Sequence, residues 1–426
     1  MTSLVAILND QAVALAADSA VTTSGPYGQK IYNTVNKLFT LSKYHPVGIM
    51  VYSSAEVMTV PIETVIKSYR AQRKDNCCLT LKEYYDDFTH YLKDETELFP
   101  QEARLEHGKQ VISANLWRLR DKIMRKLGND FPNWGEPTLV QVKLTARTLL
   151  QEHYAAFHAS NELPGVTNTL RKTLKTEIKD QFDFWKDEYK KTFGLADKDI
   201  ALLSEISLDL LLREKPTGTE TGFVIAGFGK NEYVPHLHSC ELESSLFGVH
   251  KLRDGHSIDV SDDGASIVPF AQMEMVETFV QGRENRLDAV LLQLVDNYFN
   301  DQKQQLALNP ALQGNTIALQ AFLDQLNTGL RQQFIEELRD YTSAYHLRPV
   351  LDTVHAMPKE ELAVMAEALV NLTSIKRRMS PDAETVGGPT DVAIISKGDG
   401  FIWIKRKHYF RPELNPTFGH TYFNEG

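Results

Sequence analysis

Over the first sixty positions the apolar residues alternate with polar ones or run together in short blocks, the signature of strands rather than helices. SLVAILN and AVALAADSAV flank the polar step Asn9-Asp10-Gln11, which predicts a hairpin. A loop is expected from Thr23 to Gln29, then two more short strands in KLFTLS and VGIMVYS. Between Glu56 and Arg70 the positions Val57, Val60, Val65, Ile66 and Tyr69 fall near helical spacing, with Pro61 suited to a first turn.

From about Asn76 to Lys215 the period lengthens. SANLWRLRDKIMRKLG (Ser113 to Gly128) and TLRKTLKTEIKDQFDFWKDEYKKTFG (Thr169 to Gly194) are amphipathic with mixed charge, which predicts a helical insertion. Strand character returns in TGFVIAGFGK and YVPHLHSCELE, a second expected hairpin across Lys230-Asn231-Glu232. A helical block is expected from Phe270 to about Tyr345. MPKEELAVMAEALVNLTSIKRRM then predicts a helix with Pro358 in its first turn and Lys376, Arg377 and Arg378 at its C-terminal end, where cations favour the helix dipole. DVAIISKGDGFIWIKRK closes the chain as a strand pair turning at Gly398-Asp399-Gly400.

Strands and helices therefore interleave in one α+β body. The expected segments are 1–75, strand-rich; 76–216, a helical insertion; 217–283, the central hairpin and a return to the sheets; 284–350, a second helical insertion; and 351–426, a helix and strands.

Composition narrows the function without naming it. With 46 Lys and Arg against 56 Asp and Glu the net charge is −10, and no basic stripe interleaves with aromatics, so a nucleic-acid partner is not expected. No run approaches eighteen apolar residues and no basic n-region opens the chain, which leads to the expectation of a cytoplasmic protein without a membrane partner. Three cysteines, Cys77, Cys78 and Cys240, are too few for a disulfide framework or a four-cysteine zinc site and read as free thiols.

The chemistry concentrates at the start. Met1 followed by a small residue is a context for methionine removal, which would leave Thr2 with a hydroxyl and a free amine on one residue. The amine, with an ordinary pKa of roughly 7.7 to 8.0, can take the hydroxyl proton near neutral pH. TSLVAILNDQAVALAADSAVTT resembles the start of a mature proteasome β subunit, in which a threonine opens a strand and a segment ending Ala-Ala-Asp-Ser leads to another threonine. KLFTLSKYHPVGIMVYSSAEV, TGFVIAGFGKNEYVPHLHSCELE and ETVGGPTDVAIISKGDGFIWI resemble three further blocks of that family in order.

The resemblance implies a divergent N-terminal-nucleophile hydrolase, its fold a four-layer αββα sandwich with large helical insertions. It places Thr2 on the nucleophile, Asp18 on its acidic partner and Lys37 on the catalytic lysine. Lys30 is the rival for that role, with Lys37 favoured because Leu38-Phe39-Thr40-Leu41 continues the family's strand. Thr22 matches a threonine whose backbone binds extended substrate. The oxyanion-hole glycine has no counterpart in Ile49-Met50-Val51-Tyr52, so a backbone N–H near Val51 would have to serve. Asp382 and Glu384 flank the place where a serine and an aspartate support the amine, Val386 precedes Gly387-Gly388, and Ala20 stands where a basic residue is frequent.

The implied activity is a threonine-type amidohydrolase acting on peptides or other amides, with no metal or organic cofactor and with homo-oligomers as the partner state. A catalytically silent scaffold subunit and a non-peptidase amidase are the alternatives. His236, His238 and Cys240 alternate on one face of an expected strand, as zinc ligands can, but without an evident fourth ligand. Gly227-Phe228-Gly229-Lys230 lacks phosphate-loop spacing and reads as a turn.

Overall fold

The computed structural model describes residues 2–25, 28–94, 97–130, 137–308, 316–380, 387–408 and 414–415. Contacts divide the chain into two compact units, one of Met1–Leu38, Tyr233–His236 and Ile258–Gly426, the other of Phe39–Glu232 and Leu237–Ser257. These units cut across the five segments expected from the sequence, because the strands and first helix after Leu38 group with the helical insertion.

The first unit is built on a five-stranded antiparallel sheet in the order Ala265–Ala271, Ser3–Asn9, Ala12–Ala17, Asp391–Ser396, Gly400–Lys405. The expected first hairpin is present, with Leu4 opposite Ala17 and Leu8 opposite Val13. Its turn is made by the Asn9 side chain, whose Oδ1 accepts from the Gln11 and Ala12 amides at 3.1 Å, so the turn mimics backbone pairing. Both strands are buried along their whole length. Val5, Ile7, Ala14 and Ala16 pack in one cluster with Leu362, Ala366 and Val370 of the long helix Lys359–Met379.

Two elements of this unit differ from the expectation. The strand Ala265–Ala271 occupies the edge beside Ser3–Asn9, where a helical block was expected to begin at Phe270. Pro269 lies within it opposite Val5, a position open to proline because an edge strand need not donate on its outer side. The stretch expected as a loop after Thr23 is a second hairpin, Val21–Gly25 with Gly28–Tyr32. Pro358 caps its helix from outside, preceding Lys359, with Lys376, Arg377 and Arg378 in the last turn as expected.

The second unit carries another five-stranded sheet, ordered Val249–Asp259, His236–Leu246, Thr221–Gly227, Val47–Tyr52, Leu38–Thr40. Ile49, Val51, Phe223 and Leu242 of this sheet cluster with Val65, Ile66 and Tyr69 of the helix Ile62–Arg73 and with Tyr84 and Phe88 of Leu81–Lys93. Glu56–Val57 and Val60–Pro61 form a small ladder instead of the expected first helical turn, and Pro61 stands just outside the helix, where its missing N–H costs nothing.

The stretch from Gln101 to Leu212 is helical and has its own core. Leu116, Leu119, Ile123, Leu150, Leu174, Trp185, Tyr189 and Leu211 pack together across Gln101–Asp130, Leu139–His158, Asn168–Glu177, Lys179–Phe193 and Asp197–Leu212. The stretch from Thr169 to Gly194 is two helices broken at Ile178 (φ −106°, ψ 19°), and Gly194 ends the second in the left-handed conformation. Among the described residues no helix is long and apolar enough to cross a membrane.

Candidate active site

Thr2 precedes the first strand, Asp18 follows the second, and hairpin pairing makes them neighbours. The Asp18 amide donates to the Ser3 carbonyl at 3.1 Å, extending the ladder by one step beyond Leu4 and Ala17. The Ser3 amide returns a bond to Asp18 Oδ1 at 3.0 Å. Lys37 is delivered by the segment after the second hairpin, which the Val35 amide ties to the Ser19 carbonyl at 3.2 Å.

The result is a buried relay. Lys37 Nζ donates to Asp18 Oδ1 at 2.7 Å and to Thr2 Oγ1 at 2.9 Å, and Thr2, Asp18 and Lys37 are 5%, 1% and 5% exposed. A buried ion pair is tolerated only when its remaining lone pairs are satisfied. Asp18 Oδ2 accepts from the amides of Ala20 and Gly387, both at 3.2 Å, so each oxygen has two donors. Ala20, where a basic side chain was looked for, thus serves through its backbone.

Burial pulls the Lys37 ammonium below the ordinary lysine value of 10.5. The charge and hydrogen bond of Asp18 oppose that shift, and the positive charge of Lys407 adds to it. Lys407 is itself held by Asp391, which accepts from both its amide and its ammonium. A lysine placed this way can stabilise negative charge developing on Thr2 Oγ1 and, by like-charge repulsion, favour the neutral form of a nearby amine.

Of the two candidate lysines, the structure brings Lys37 to Thr2 and Asp18. Lys30 is exposed in the Gly28–Tyr32 strand opposite Thr23, its ammonium 5.1 Å above the Tyr32 ring. Thr22 lies in the Val21–Gly25 strand in register with Ile31. Val51 belongs to the second unit, buried in Val47–Tyr52 and in register with Phe223. Met1, Asp382, Glu384 and Val386 lie outside the described residues.

Two supports escaped sequence reasoning. The Gln272 amide donates to the Thr2 carbonyl at 3.1 Å, and Arg377 Nε donates to Gln272 Oε1 at 2.7 Å. The end of the helix Lys359–Met379 therefore steadies the residue that steadies Thr2, and Arg377 does more than answer a helix dipole. No local pattern announces Gln272, since its role is carried by a backbone N–H that any residue but proline has.

The zinc-like alternation resolves into separate contacts: His236 Nε2 lies 3.4 Å from an Asp259 carboxylate oxygen, His238 Nδ1 lies 3.1 Å from Ser257 Oγ, and Cys240 is buried. Among the described residues no group of three or more His, Cys, Asp or Glu is arranged to hold a metal ion. No family model matches the chain, and no curated protein matches it significantly in sequence.

Proposed function

We propose that the protein is an N-terminal threonine amidohydrolase, a proteasome-like peptidase or a related amidase, with Thr2 as nucleophile. The reading rests above all on Lys37 Nζ lying 2.9 Å from Thr2 Oγ1 within a buried ion pair whose carboxylate has two donors on each oxygen. It requires cleavage of the bond before Thr2, so that the α-amine belongs to the nucleophile.

Thr2 Oγ1 attacks the amide carbonyl while its proton passes to the Thr2 amine. Lys37 stabilises the charge on the oxygen, and Asp18 keeps Lys37 charged and aimed. The C–N bond then breaks as the amine returns the proton to the leaving nitrogen, leaving an ester on Oγ1. Water attacks that ester with the same amine as base, the acid departs, and Oγ1 regains its proton.

In this reading the sheets form the four-layer αββα sandwich of the resembled family. It is supported by the burial of Ser3–Asn9 and Ala12–Ala17 along their whole length and by the helix Lys359–Met379 packed on them.

Intact-mass analysis before and after incubation with an acylating β-lactone tests the proposal, alongside turnover of a panel of peptide amides. The expected result is a chain beginning at Thr2 that gains one acyl group, with Thr2→Ala gaining none. Full retention of Met1, or a chain that begins at Thr2 yet neither acylates nor turns over any amide, would overturn it.

A further inference from the structure

A cleft of about 440 Å³ lies within the second unit, walled by the strands His236–Leu246 and Val249–Asp259 and, on an apolar side, by Leu163 and Pro164. Glu241 and Glu243 alternate on the first strand and Lys251 and Arg253 on the second, so each pair shares a face. Glu241 binds Arg253, and Lys251 Nζ lies 3.2 Å from Glu243 Oε2, which brings all four to the cleft.

The two ion pairs are not alike. The Arg253 side chain is half exposed, whereas Glu243 and Lys251 are 4% and 5% exposed. The Glu243 carboxylate is well supplied: the Thr217 amide lies 3.1 and 3.2 Å from its two oxygens, and the Thr217 hydroxyl also donates to it. Lys251 is not. An ammonium has three N–H donors. Nζ gives one to the Leu210 carbonyl at 2.8 Å and one to Glu243, and among the described residues it has no third acceptor. Its third direction is left to the cleft that it lines.

Burial pulls the Lys251 ammonium below the ordinary value of 10.5; Glu243 and Glu220 oppose that shift and Arg253 adds to it. Burial also raises the Glu243 carboxyl above its ordinary 4.5. The two groups are thus drawn toward exchanging a proton. A buried amine with one unspent direction, a proton partner 3.2 Å away and a cleft beside it is equipped to add to a carbonyl carbon.

We propose that Lys251 is a covalent binding site for a small aldehyde or ketone, held in this cleft as an imine, with Glu243 moving the protons. Lys251 passes a proton to Glu243, and its nitrogen pair forms the C–N bond while the C=O pair moves to oxygen. That oxygen takes the proton from Glu243, giving a carbinolamine. The nitrogen hands a second proton to Glu243, which delivers it to the hydroxyl; the C–O bond breaks, water leaves, and the nitrogen pair closes the C=N bond. Nothing is oxidised or reduced. The iminium carries the single positive charge of the ammonium it replaces, so the buried Glu243 carboxylate keeps its counter-charge. The site is independent of the chemistry at Thr2.

The test uses the full chain without substitution. It is incubated near neutral pH with propionaldehyde and sodium cyanoborohydride, which reduces imines to stable propyl groups, and peptide mapping reads the rate at each lysine. Lys251 should be labelled about tenfold or more faster than the exposed Lys172 and Lys198, because each step down in proton affinity of one pH unit gives tenfold more free amine. Its rate should also level off at a lower pH than theirs. A rate at Lys251 no higher than at Lys172 and Lys198, a pH profile matching theirs, or labelling of Lys251 only after denaturation would each overturn the proposal, leaving a buried ion pair that serves the fold alone.

Discussion

Gly387 and Asp18 stand 369 positions apart, yet the Gly387 amide donates to Asp18 Oδ2 at 3.2 Å while the Ser19 amide donates back to the Gly387 carbonyl at 3.2 Å. This reciprocal pair joins the loop before the strand Asp391–Ser396 to the carboxylate that holds Lys37. The next residue, Gly388, has φ +77°, and a Cβ there would lie 2.8 Å from Asn33 Cβ and 3.0 Å from the Asn33 carbonyl oxygen.

Gly388→Ala should therefore cost about 1–3 kcal/mol, from the left-handed backbone and the clash together. It should also lower amide turnover, because the displaced loop withdraws a donor from Asp18. Thermal unfolding reads the first effect and kcat/KM the second. An unshifted melting temperature would contradict the loop geometry.

Removing one member of the Asp18–Lys37 pair leaves a buried charge without its partner, which typically costs about 3–5 kcal/mol. Lys37→Met and Asp18→Asn should each fall in that range, and the double variant should be more stable than the sum of the two losses allows. Activity should stay absent in all three. Chemical denaturation of the full cycle checks this, and strict additivity would mean that the two groups are not coupled.

The lowered proton affinity of Lys37 sets the sign of a pH effect. A charged Lys37 is present below its folded pKa, which lies beneath 10.5, and is lost as pH rises through it. The kcat/KM profile for an amide should thus have an alkaline limb with an apparent pKa below 10.5. Lys37→Arg, charged at every accessible pH, should lower the plateau and remove the limb. A limb that persists in Lys37→Arg belongs to another group.

The second unit carries its own pH dependence at His153. Burial, then the charges of Lys122, Lys215 and Arg118, push its pKa down from 6.5 to about 4. Below pH 6.5 the unfolded chain takes up a proton that the folded chain refuses until about pH 4, so stability falls across that window and levels off beneath it. The loss amounts to roughly 3 kcal/mol at most. His153→Phe should reduce the drop in denaturation midpoint between pH 7 and pH 4. An unaltered slope would remove His153 as its source.

Much of the architecture was legible along the chain because it is local. A hairpin with a two-residue turn needs only two short apolar runs and an Asn able to close the turn, so Ser3–Asn9 and Ala12–Ala17 stand where the pattern put them. Thr2, Asp18 and Lys37 stood out only through the resemblance of the segments around them to a known family, and the hairpin register then makes Thr2 and Asp18 neighbours. The long helical stretches showed in their period, although the break at Ile178 left no mark on it, because a helix interrupted for one residue keeps its apolar face.

What the tertiary structure decided are the partners that arrive from far away. The edge strand Ala265–Ala271, with Pro269 inside it, carries weak strand signal and is held in place by the ladder that Ser3–Asn9 offers. Gln272, at its end, reaches Thr2 through a backbone amide, and Gly387 reaches Asp18 the same way. Backbone donors are common to every residue but proline, so no side-chain pattern along the chain distinguishes the few that complete the site. Only the fold, by bringing three distant segments against one buried carboxylate and one buried threonine, selects them.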